Sequence, residues 1–246
     1  MKDSIFTIAE NAAIASGTYR LRLLGDVSEI QRPGQFINIK IDGFFLRRPI
    51  AVCDVDPQSV TVVYKVVGKG TDRLCRMKEG DSLSVLTGLG NGYDTADSGD
   101  HPVLLGGGVG SASLYLLAKR LREEGKQVSA ILGFNTADEV FYASEFRALG
   151  AEVFVTTVDG SCGIKGFATD ALPETYSFFF ACGPEAMLRA VYRATCTGGQ
   201  LSFERRMGCG FGACMGCSCQ TITGSKRICR EGPVMRKEEI LWTDCV

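Results

Sequence analysis

The chain has 246 residues, 45% of them hydrophobic and 22% charged, and 27 basic and 28 acidic residues give it a net charge of −1. This length suits two small domains, since a domain has about 100–200 residues, and the composition is typical of a folded protein. The balanced charge, without dense Lys/Arg runs, argues against a nucleic-acid partner.

No segment approaches the roughly 20 apolar residues that a membrane helix needs. The first residues have no continuous apolar stretch behind a basic end. We therefore expect no membrane association and a cytoplasmic location.

Up to about residue 89 the chain is a series of short β-type runs separated by turn residues. The predicted strands are 19–24, 35–41, 49–55, 60–67 and 82–86. Strands spaced so closely favour an antiparallel β-barrel. We predict that this domain covers residues 1–97.

From residue 98 the pattern changes to alternating strands and helices. Apolar strands at 103–105, 128–133, 153–158 and 177–181 indicate burial on both faces, as in a parallel sheet. A helical stripe of Leu114, Leu117, Ala118 and Leu121 ends near Gly125, and a second helix is predicted from 185 to about 197. The predicted fold class is thus α+β multidomain, with an α/β parallel-sheet domain at 98–200 and a cysteine-rich appendage at 201–246.

Five of the eleven cysteines fall between residues 209 and 229. Cys209, Cys214 and Cys217 have the spacing C-x4-C-x2-C of plant-type [2Fe–2S] ferredoxins, and Cys229 supplies a fourth thiol. Glycines at 208, 210, 212 and 216 allow the backbone to turn inward and bring amide N–H groups close to sulfur. This pattern predicts a [2Fe–2S] site.

Two alternatives to this cluster are a structural zinc site and a purely packing role. Zinc sites more often pair two C-x2-C-type knuckles, and here there is one. Cys219 could replace Cys217 on spacing alone, but the ferredoxin interval selects Cys217. The remaining cysteines are scattered and are predicted to be mostly structural; they are Cys53, Cys75, Cys162, Cys182, Cys196 and Cys245.

Two motifs in the first half are candidates for contacts with a phosphorylated cofactor. In the run 47–51, Arg-Arg-Pro-Ile-Ala, an arginine at a strand start could meet a pyrophosphate, or the pair could be an ordinary surface feature. In 68–71, Gly-Lys-Gly-Thr, a turn after a strand could bind phosphate oxygens through free N–H groups, or be a simple hairpin turn.

Three motifs in the second half follow apolar strands. The run 106–110, GGGVG, lies between a strand and a helix start, a place that suits an anion, although a tight βα turn would look the same. Asp159-Gly160-Ser161 and Cys182-Gly183-Pro184 fall at the carboxyl edge where open α/β sheets bind ligands, or are plain loops.

The order Arg-Pro-Ile, Gly-x-Gly-Thr, GGGVG, CGPEAM and C-x4-C-x2-C resembles the ferredoxin reductase-like superfamily over nearly the whole chain. Within it, RRMGCGFGACMGCSC followed by CREGPV is similar to the electron-transfer subunits of NAD-dependent (class 1B) dihydroorotate dehydrogenase. The resemblance implies an FAD-binding barrel, an NAD-binding α/β domain and a [2Fe–2S] cluster facing an FMN-containing catalytic subunit, in a heterotetramer of two of each. It implies that electrons from dihydroorotate pass through FMN, the cluster and FAD to NAD⁺, in pyrimidine (UMP) biosynthesis.

The resemblance also assigns residues. The implied FAD contacts are Arg48, Pro49, Ile50, Ala51, Val63, Tyr64, Lys65, Gly70 and Thr71. The strand-end motifs, and not the resemblance, assign the NAD pocket to Gly107, Gly108, Gly110, Asp159, Gly160, Cys182, Gly183 and Pro184. The implied cluster ligands are Cys209, Cys214, Cys217 and Cys229, and no residue stands out as a catalytic base. Ala51 departs from the family, which usually has Ser or Thr there.

Three other functions are weighed against this one. The small subunits of flavin-based ferredoxin–NADP transhydrogenases have a similar tail but usually carry aspartate in place of the first cysteine, so Cys209 argues against them. Diaphorase subunits of sulfhydrogenases share the same modules. A zinc-binding interaction protein, from a different class, would need neither the flavin motifs nor buried parallel strands.

Overall fold

The computed structural model describes residues 1–242, so the predicted structural cysteine Cys245 lies outside the described residues. The first half is a closed antiparallel barrel with the strand order β1-β2-β5-β4-β3-β6. Its strands are β1 (Lys2–Ala15), β2 (Thr18–Leu24), β3 (Phe36–Ile39), β4 (Arg48–Asp56), β5 (Ser59–Lys65) and β6 (Ser82–Leu89). A short helix, α1 (Lys69–Cys75), connects β5 to β6.

Buried and more exposed side chains alternate along barrel strands such as β6, which explains why these segments form strands. In β6, Leu83, Val85, Thr87 and Leu89 are buried and the residues between them are less so, because successive side chains of a strand point to opposite faces. β1 was not predicted, since it breaks this pattern with polar and small residues. Among them, Asn11 Nδ2 donates to Leu74 O at 2.8 Å and Oδ1 accepts from Tyr64 Oη at 2.9 Å.

The second half contains a seven-stranded sheet with the order β10-β9-β8-β7-β11-β12-β15. Its strands are β7 (Val103–Gly107), β8 (Ser129–Phe134), β9 (Glu152–Thr157), β10 (Ile164–Lys165), β11 (Phe179–Cys182), β12 (Gly199–Ser202) and β15 (Val234–Arg236). The first six are parallel, while β15 pairs antiparallel with β12. The residues of β7, β11 and β12 are all buried, as expected for strands covered on both faces.

The helices of this half are α2 (Gly110–Ser113), α3 (Tyr115–Glu123), α4 (Ala143–Ala148) and α5 (Glu185–Ala194), with 3₁₀ turns at Ala137–Glu139, Ala168–Ala171 and Lys237–Glu239. The predicted stripe residues are all fully buried, but the helix is divided at Leu114. The second helix ends before residue 197, because Thr195 Oγ1 bonds back to Val191 O at 2.8 Å and the chain then becomes extended.

The tail adds a hairpin, β13 (Ser218–Thr221) and β14 (Gly224–Arg227), before β15 returns to the sheet. The predicted boundary at residue 200 falls within β12. Together with the barrel and the sheet, this arrangement confirms the predicted fold class. Among residues 1–242, no helix combines the length and the apolar character required to cross a membrane.

Barrel and sheet are packed together through both polar and apolar contacts. Tyr93, in the segment between them, is 2% exposed and its hydroxyl donates to Ala181 O at 3.0 Å. Ion pairs join Lys119 to Asp54 at 3.1 Å and Lys65 to Glu139 at 2.6 Å. These contacts fix the position of the barrel against the carboxyl edge of the sheet.

Candidate functional site

A cavity of about 340 Å³ lies between the barrel and the sheet and is called here the interdomain cavity. On the sheet side it opens at the ends of β7 and β11, between which the strand order reverses. Open α/β sheets bind ligands at such a switch point. The predicted residues that line the cavity are Pro49, Ile50, Ala51, Val63, Tyr64, Lys65, Thr71, Gly110 and Cys182. The structure therefore brings predicted FAD and NAD contacts to one place.

Arg48 and Gly70, which precede two of these lining residues, lie against each other. A Cβ atom on Gly70 would be 2.1 Å from Arg48 Nε, so a larger residue at position 70 would displace the guanidinium from this place. The guanidinium also lies over the Phe44 ring, 4.9 Å from its centroid, and donates to Leu46 O. A guanidinium held in this way offers a planar set of donors suited to a pyrophosphate.

The segment 68–71 is the start of helix α1 and not the predicted turn. Thr71 Oγ1 accepts hydrogen bonds from Val67 N at 3.0 Å and Gly68 N at 3.2 Å. These bonds fix the backbone where the chain enters helix α1. Asp72 and Arg76 then form an i,i+4 ion pair at 2.8 Å that favours a helix. The N–H groups without intrahelical acceptors are therefore those of the first helical turn.

On the sheet side, the loop after β7 and the loop after β11 are in close contact. A Cβ atom on Gly110 would lie 2.6 Å from Cys182 O, and one on Gly183 would lie 3.2 Å from Gly107 Cα. A Cβ atom on Gly107 would lie 3.1 Å from Pro184 Cδ, whereas Gly108, with φ +52°, has open space around it. Six of the eight predicted NAD residues, including Cys182, thus lie together.

Cys182 is 3% exposed, with the hydroxyl groups of Ser113 and Ser202 beside its sulfur. Burial raises the pKa of its thiol to about 12, and the charge of Glu204 acts in the same direction. The thiol is therefore neutral at physiological pH. It can pack against a bound ring but is not activated as a nucleophile.

Asp159 and Gly160 do not line the interdomain cavity. They follow β9, which is separated from β7 by β8. The Asp159 carboxylate accepts hydrogen bonds from Ser161 N and Oγ at 2.9 and 2.6 Å. These contacts form a local turn at the same edge of the sheet, so their assignment to the NAD pocket stays a prediction.

One lining segment was missed by the sequence analysis. It runs from the end of β12 toward the cysteines and contributes Ser202, Phe203, Glu204, Arg205 and Met207. No motif marks these residues, and their position depends on β12 being the strand next to β11. The chain leaves the cavity at Met207 and reaches Cys209 two residues later.

The four predicted cluster cysteines form an outer and an inner pair. Cys209 is half-buried and Cys214 exposed, while Cys217 and Cys229 are each 2% exposed. Backbone N–H groups donate to sulfur in both pairs: Ala213 N to Cys209 Sγ at 3.2 Å, and Cys229 N to Cys217 Sγ at 3.4 Å. The glycine-rich loop therefore points amides at the thiols, as expected.

The pKa values of Cys209 and Cys229 are shifted in opposite directions. At Cys209, burial acts to raise the pKa of the thiol, but N–H groups of Cys214, Phe211 and Ala213 together lower it to about 6. At Cys229, burial raises the pKa to about 12, and the adjacent Cys217 adds to this increase. Of these two thiols, that of Cys209 is thus the better prepared to become a thiolate.

This donor set fits a [2Fe–2S] cluster. Such a cluster is held by four cysteines, and hydrogen bonds to sulfur tune it. In the part of the chain that the structure describes, no three Cys, His, Asp or Glu side chains gather closely enough to hold one metal ion. Each of the two irons of such a cluster takes two cysteine thiolates, which the outer and the inner pair would supply, whereas a zinc ion takes four ligands around one point.

The Cys219 sulfur is directed at Met235, with its Sγ 4.0 Å from Met235 Sδ. Cys219 packs at the edge of the apolar core that also contains Cys217 and Cys229. This placement supports the choice of Cys217 as the ligand. Elsewhere, Cys53 is buried, Cys75 and Cys162 are half-buried, and Cys196 is exposed.

Ala51→Ser is expected to leave FAD affinity unchanged or to improve it. Ala51 lines the interdomain cavity from β4, so a serine there would add a hydroxyl beside the bound flavin, worth about 0.5–1.5 kcal/mol if hydrogen-bonded. Fluorimetric FAD titration measures the change. A tenfold loss of affinity, about 1.4 kcal/mol, would show that β4 does not contact the flavin in this way.

Comparison with known proteins supports this interpretation of the site. Residues 204–241 match the family described as the iron-sulfur cluster binding domain of dihydroorotate dehydrogenase B. The chain is 40% identical to the "Dihydroorotate dehydrogenase B (NAD(+)), electron transfer subunit" of Fusobacterium nucleatum, over 98% of this chain and 99% of that protein. It is 41% identical to the subunit of the same name from Bacillus caldolyticus, over 96% and 97% of the two chains.

Solved structures agree with these matches. An NADH-dependent reduced ferredoxin-NADP oxidoreductase, described for flavin-based electron bifurcation, superimposes with a TM-score of 0.88 at 33% identity, over 97% of this chain and 90% of that chain. The fold is also shared by the flavohem-like FAD/NAD binding domain of a Vibrio cholerae nitric oxide dioxygenase. That domain superimposes with a TM-score of 0.67 at 22% identity, over 78% of this chain and 92% of that chain. Because the identity is about 40% over nearly the whole length of both chains, this chain belongs to the family of electron-transfer subunits of NAD⁺-dependent dihydroorotate dehydrogenase B.

Proposed function

We propose that this chain transfers electrons between an FMN-containing dihydroorotate dehydrogenase catalytic subunit and NAD⁺, using a [2Fe–2S] cluster and FAD, in pyrimidine biosynthesis. One observation carries the proposal: a single cavity is lined by predicted FAD and NAD contacts, and its wall continues directly into the cysteine loop. Sites for a two-electron and a one-electron carrier are therefore adjacent. FAD, when bound, supplies the chemistry that joins them, because flavin exchanges electrons singly or in pairs.

The chain's own residues hold and orient these groups. Tyr64 lines the cavity with a fixed ring, since its hydroxyl donates to Asn11 and the ring stacks on Tyr19 with centroids 5.7 Å apart. Lys65 is directed toward the sheet by its ion pair with Glu139. Arg48 and the start of α1 offer donors to a pyrophosphate, and the neutral Cys182 thiol packs at the opposite wall.

The region around the outer cysteine pair suits contact with a catalytic subunit. Cys214 is exposed, and its neighbour Met215 is 55% exposed with φ +60°, an unusual conformation for a residue other than glycine. Phe211 is also partly exposed, at 39%. Apolar side chains around an accessible ligand support docking of a partner here. We propose further that the complex is a heterotetramer of two copies of each subunit and that it is cytoplasmic.

The purified chain is expected to reduce artificial dyes with NADH but not to oxidise dihydroorotate. Nucleotide and flavin sites are both present, so the flavin of this chain is committed to nicotinamide, and the oxidation of dihydroorotate belongs to the catalytic subunit. Steady-state assays of the chain alone, and then with the catalytic subunit added, measure both activities. Dihydroorotate oxidation by the chain alone would contradict the proposal.

The same assays separate the alternatives. A diaphorase subunit of a transhydrogenase or sulfhydrogenase complex would also reduce dyes, but the dihydroorotate-oxidising subunit would not couple to it. A zinc-binding interaction protein would be colourless and inactive with NADH. Co-purification at native expression level identifies the partner directly.

A further inference from the structure

Asn38 lies between the interdomain cavity and the cysteine loop. It is in β3, where it pairs with Pro49 of β4, and Pro49 lines the cavity. Residues directly opposite each other in neighbouring strands project to the same face. The Asn38 side chain is 1% exposed, and its Nδ2 donates to Cys209 O at 3.2 Å. One buried amide thus touches both the strand pair that lines the cavity and the loop that carries a cluster ligand.

The other end of this amide is unpaired. Asn38 Oδ1 is buried and has no hydrogen-bond partner among residues 1–242. A buried acceptor without a partner destabilises the folded state, and leucine would fill a similar space without that cost. The bond from Nδ2 to the Cys209 carbonyl is the contact that asparagine makes here and that leucine could not make.

The cysteine loop is held at two points. Asn38 anchors it to the barrel at Cys209, and a Cβ atom on the next residue, Gly210, would lie 2.4 Å from Asn38 Nδ2. At the far side, Arg227 Nη1 donates to Gly212 O at 2.7 Å, and Arg227 is itself paired with Glu231. Arg227 belongs to the same tail as the loop, whereas Asn38 belongs to the barrel. The Asn38 contact therefore sets the position of the loop relative to the barrel.

We propose that Asn38 is a positioning residue that fixes Cys209, and with it the [2Fe–2S] cluster, relative to the barrel strands that contact FAD. The inference rests on the proposed function and deepens it. Asn38 does not touch the reacting atoms. It acts through the backbone of Cys209, and its effect is on the potential of the cluster and on the rate at which the reduced flavin is reoxidised by the cluster.

Two variants and one matched control test this assignment. Asn38→Asp replaces the donor by a carboxylate oxygen that repels Cys209 O and adds negative charge beside the cluster. Asn38→Leu removes both amide atoms. Asn91→Leu is the control, because Asn91 Nδ2 also anchors the tail, to Val234 O at 2.7 Å and Glu231 O at 3.0 Å, but not the loop 209–214.

The readouts are iron content, the EPR-monitored midpoint potential of the cluster, and the rate of flavin-to-cluster electron transfer after rapid mixing with NADH. We expect Asn38→Asp to lower the potential by at least about 59 mV, a tenfold change in a one-electron equilibrium. We expect Asn38→Leu to slow the transfer about tenfold or more, as a small misplacement does at reacting centres. Loss of the cluster in either variant, with retention in Asn91→Leu, would equally support positioning.

Smaller effects in both Asn38 variants, or equal loss of the cluster in Asn91→Leu, would overturn the assignment of Asn38. A wild-type chain that holds no [2Fe–2S] cluster would instead contradict the proposed function. The two failures are therefore distinguishable in the same set of measurements.

Discussion

Cys214→Ser is expected to abolish NAD⁺ reduction by dihydroorotate in the assembled complex, while the same variant still reduces dyes with NADH. Cys214 is the exposed member of the outer cysteine pair, and a serine oxygen is a poor substitute for a thiolate on iron. The interdomain cavity is formed by other residues and should retain FAD. Iron and sulfide analysis, followed by stopped-flow absorbance, measures the cluster and the two half-reactions.

The matched control for this variant is Cys219→Ser. Cys219 lies ten residues after Cys209 in the same tail but packs against Met235, so its replacement should preserve iron, sulfide and coupling. Iron loss in Cys219→Ser but not in Cys217→Ser would reverse the ligand assignment. A Cys214→Ser complex that lacked the cluster and still coupled at the wild-type rate would exclude the cluster from the pathway.

Gly110→Ala is expected to weaken NADH binding about 10–100-fold, which corresponds to roughly 1–3 kcal/mol of overpacking. The added Cβ atom would lie 2.6 Å from Cys182 O and 2.9 Å from Gly183 Cα. Both are backbone atoms, so the clash is relieved by separating α2 from the loop after β11 at the switch point. Equilibrium NADH titration, with FAD content measured in parallel, gives the effect.

Gly68→Ala provides the control for that substitution. The same methyl group added at Gly68 has nothing within 4 Å, and the residue has an ordinary extended conformation. NADH affinity should therefore be unchanged. If Gly110→Ala bound NADH as tightly as Gly68→Ala, the loops after β7 and β11 would not form the nucleotide site.

The parts of the fold that were predictable are those with a local signal. Alternation in β6 and the fully apolar β7 and β11 indicated a barrel followed by a parallel sheet, and both are present. β1 was missed because Asn11, a polar residue that interrupts the apolar alternation of the strand, is held there by hydrogen bonds to distant residues. α1 was missed because its start, Gly-Lys-Gly-Thr, is equally compatible with a turn, and Thr71 determines the outcome through its capping bonds.

The site also combines features with a local sequence signal and features without one. The spacing of Cys209, Cys214 and Cys217 is such a signal, because it predicts the cluster ligands directly. By contrast, the contact between Asn38 and Cys209 joins residues 171 positions apart, and no local pattern indicates it. Phe203 and Glu204 line the cavity because β12 lies beside β11, a pairing that only the assembled sheet establishes. Motifs therefore predicted the ligands, whereas the connection between the cofactor sites depended on tertiary structure.

An anaerobic titration of the purified chain with NADH, followed by visible absorbance and EPR, tests electron transfer between the flavin and the cluster. We expect the chain to contain bound flavin and a cluster in which iron and sulfide are present in equal amounts. We expect NADH to bleach the flavin and to produce the paramagnetic signal of a reduced [2Fe–2S] cluster, which is absent in Cys214→Ser. A colourless, zinc-containing chain, or a flavin that NADH reduces while the cluster stays oxidised at every NADH concentration, would contradict electron transfer between the two sites.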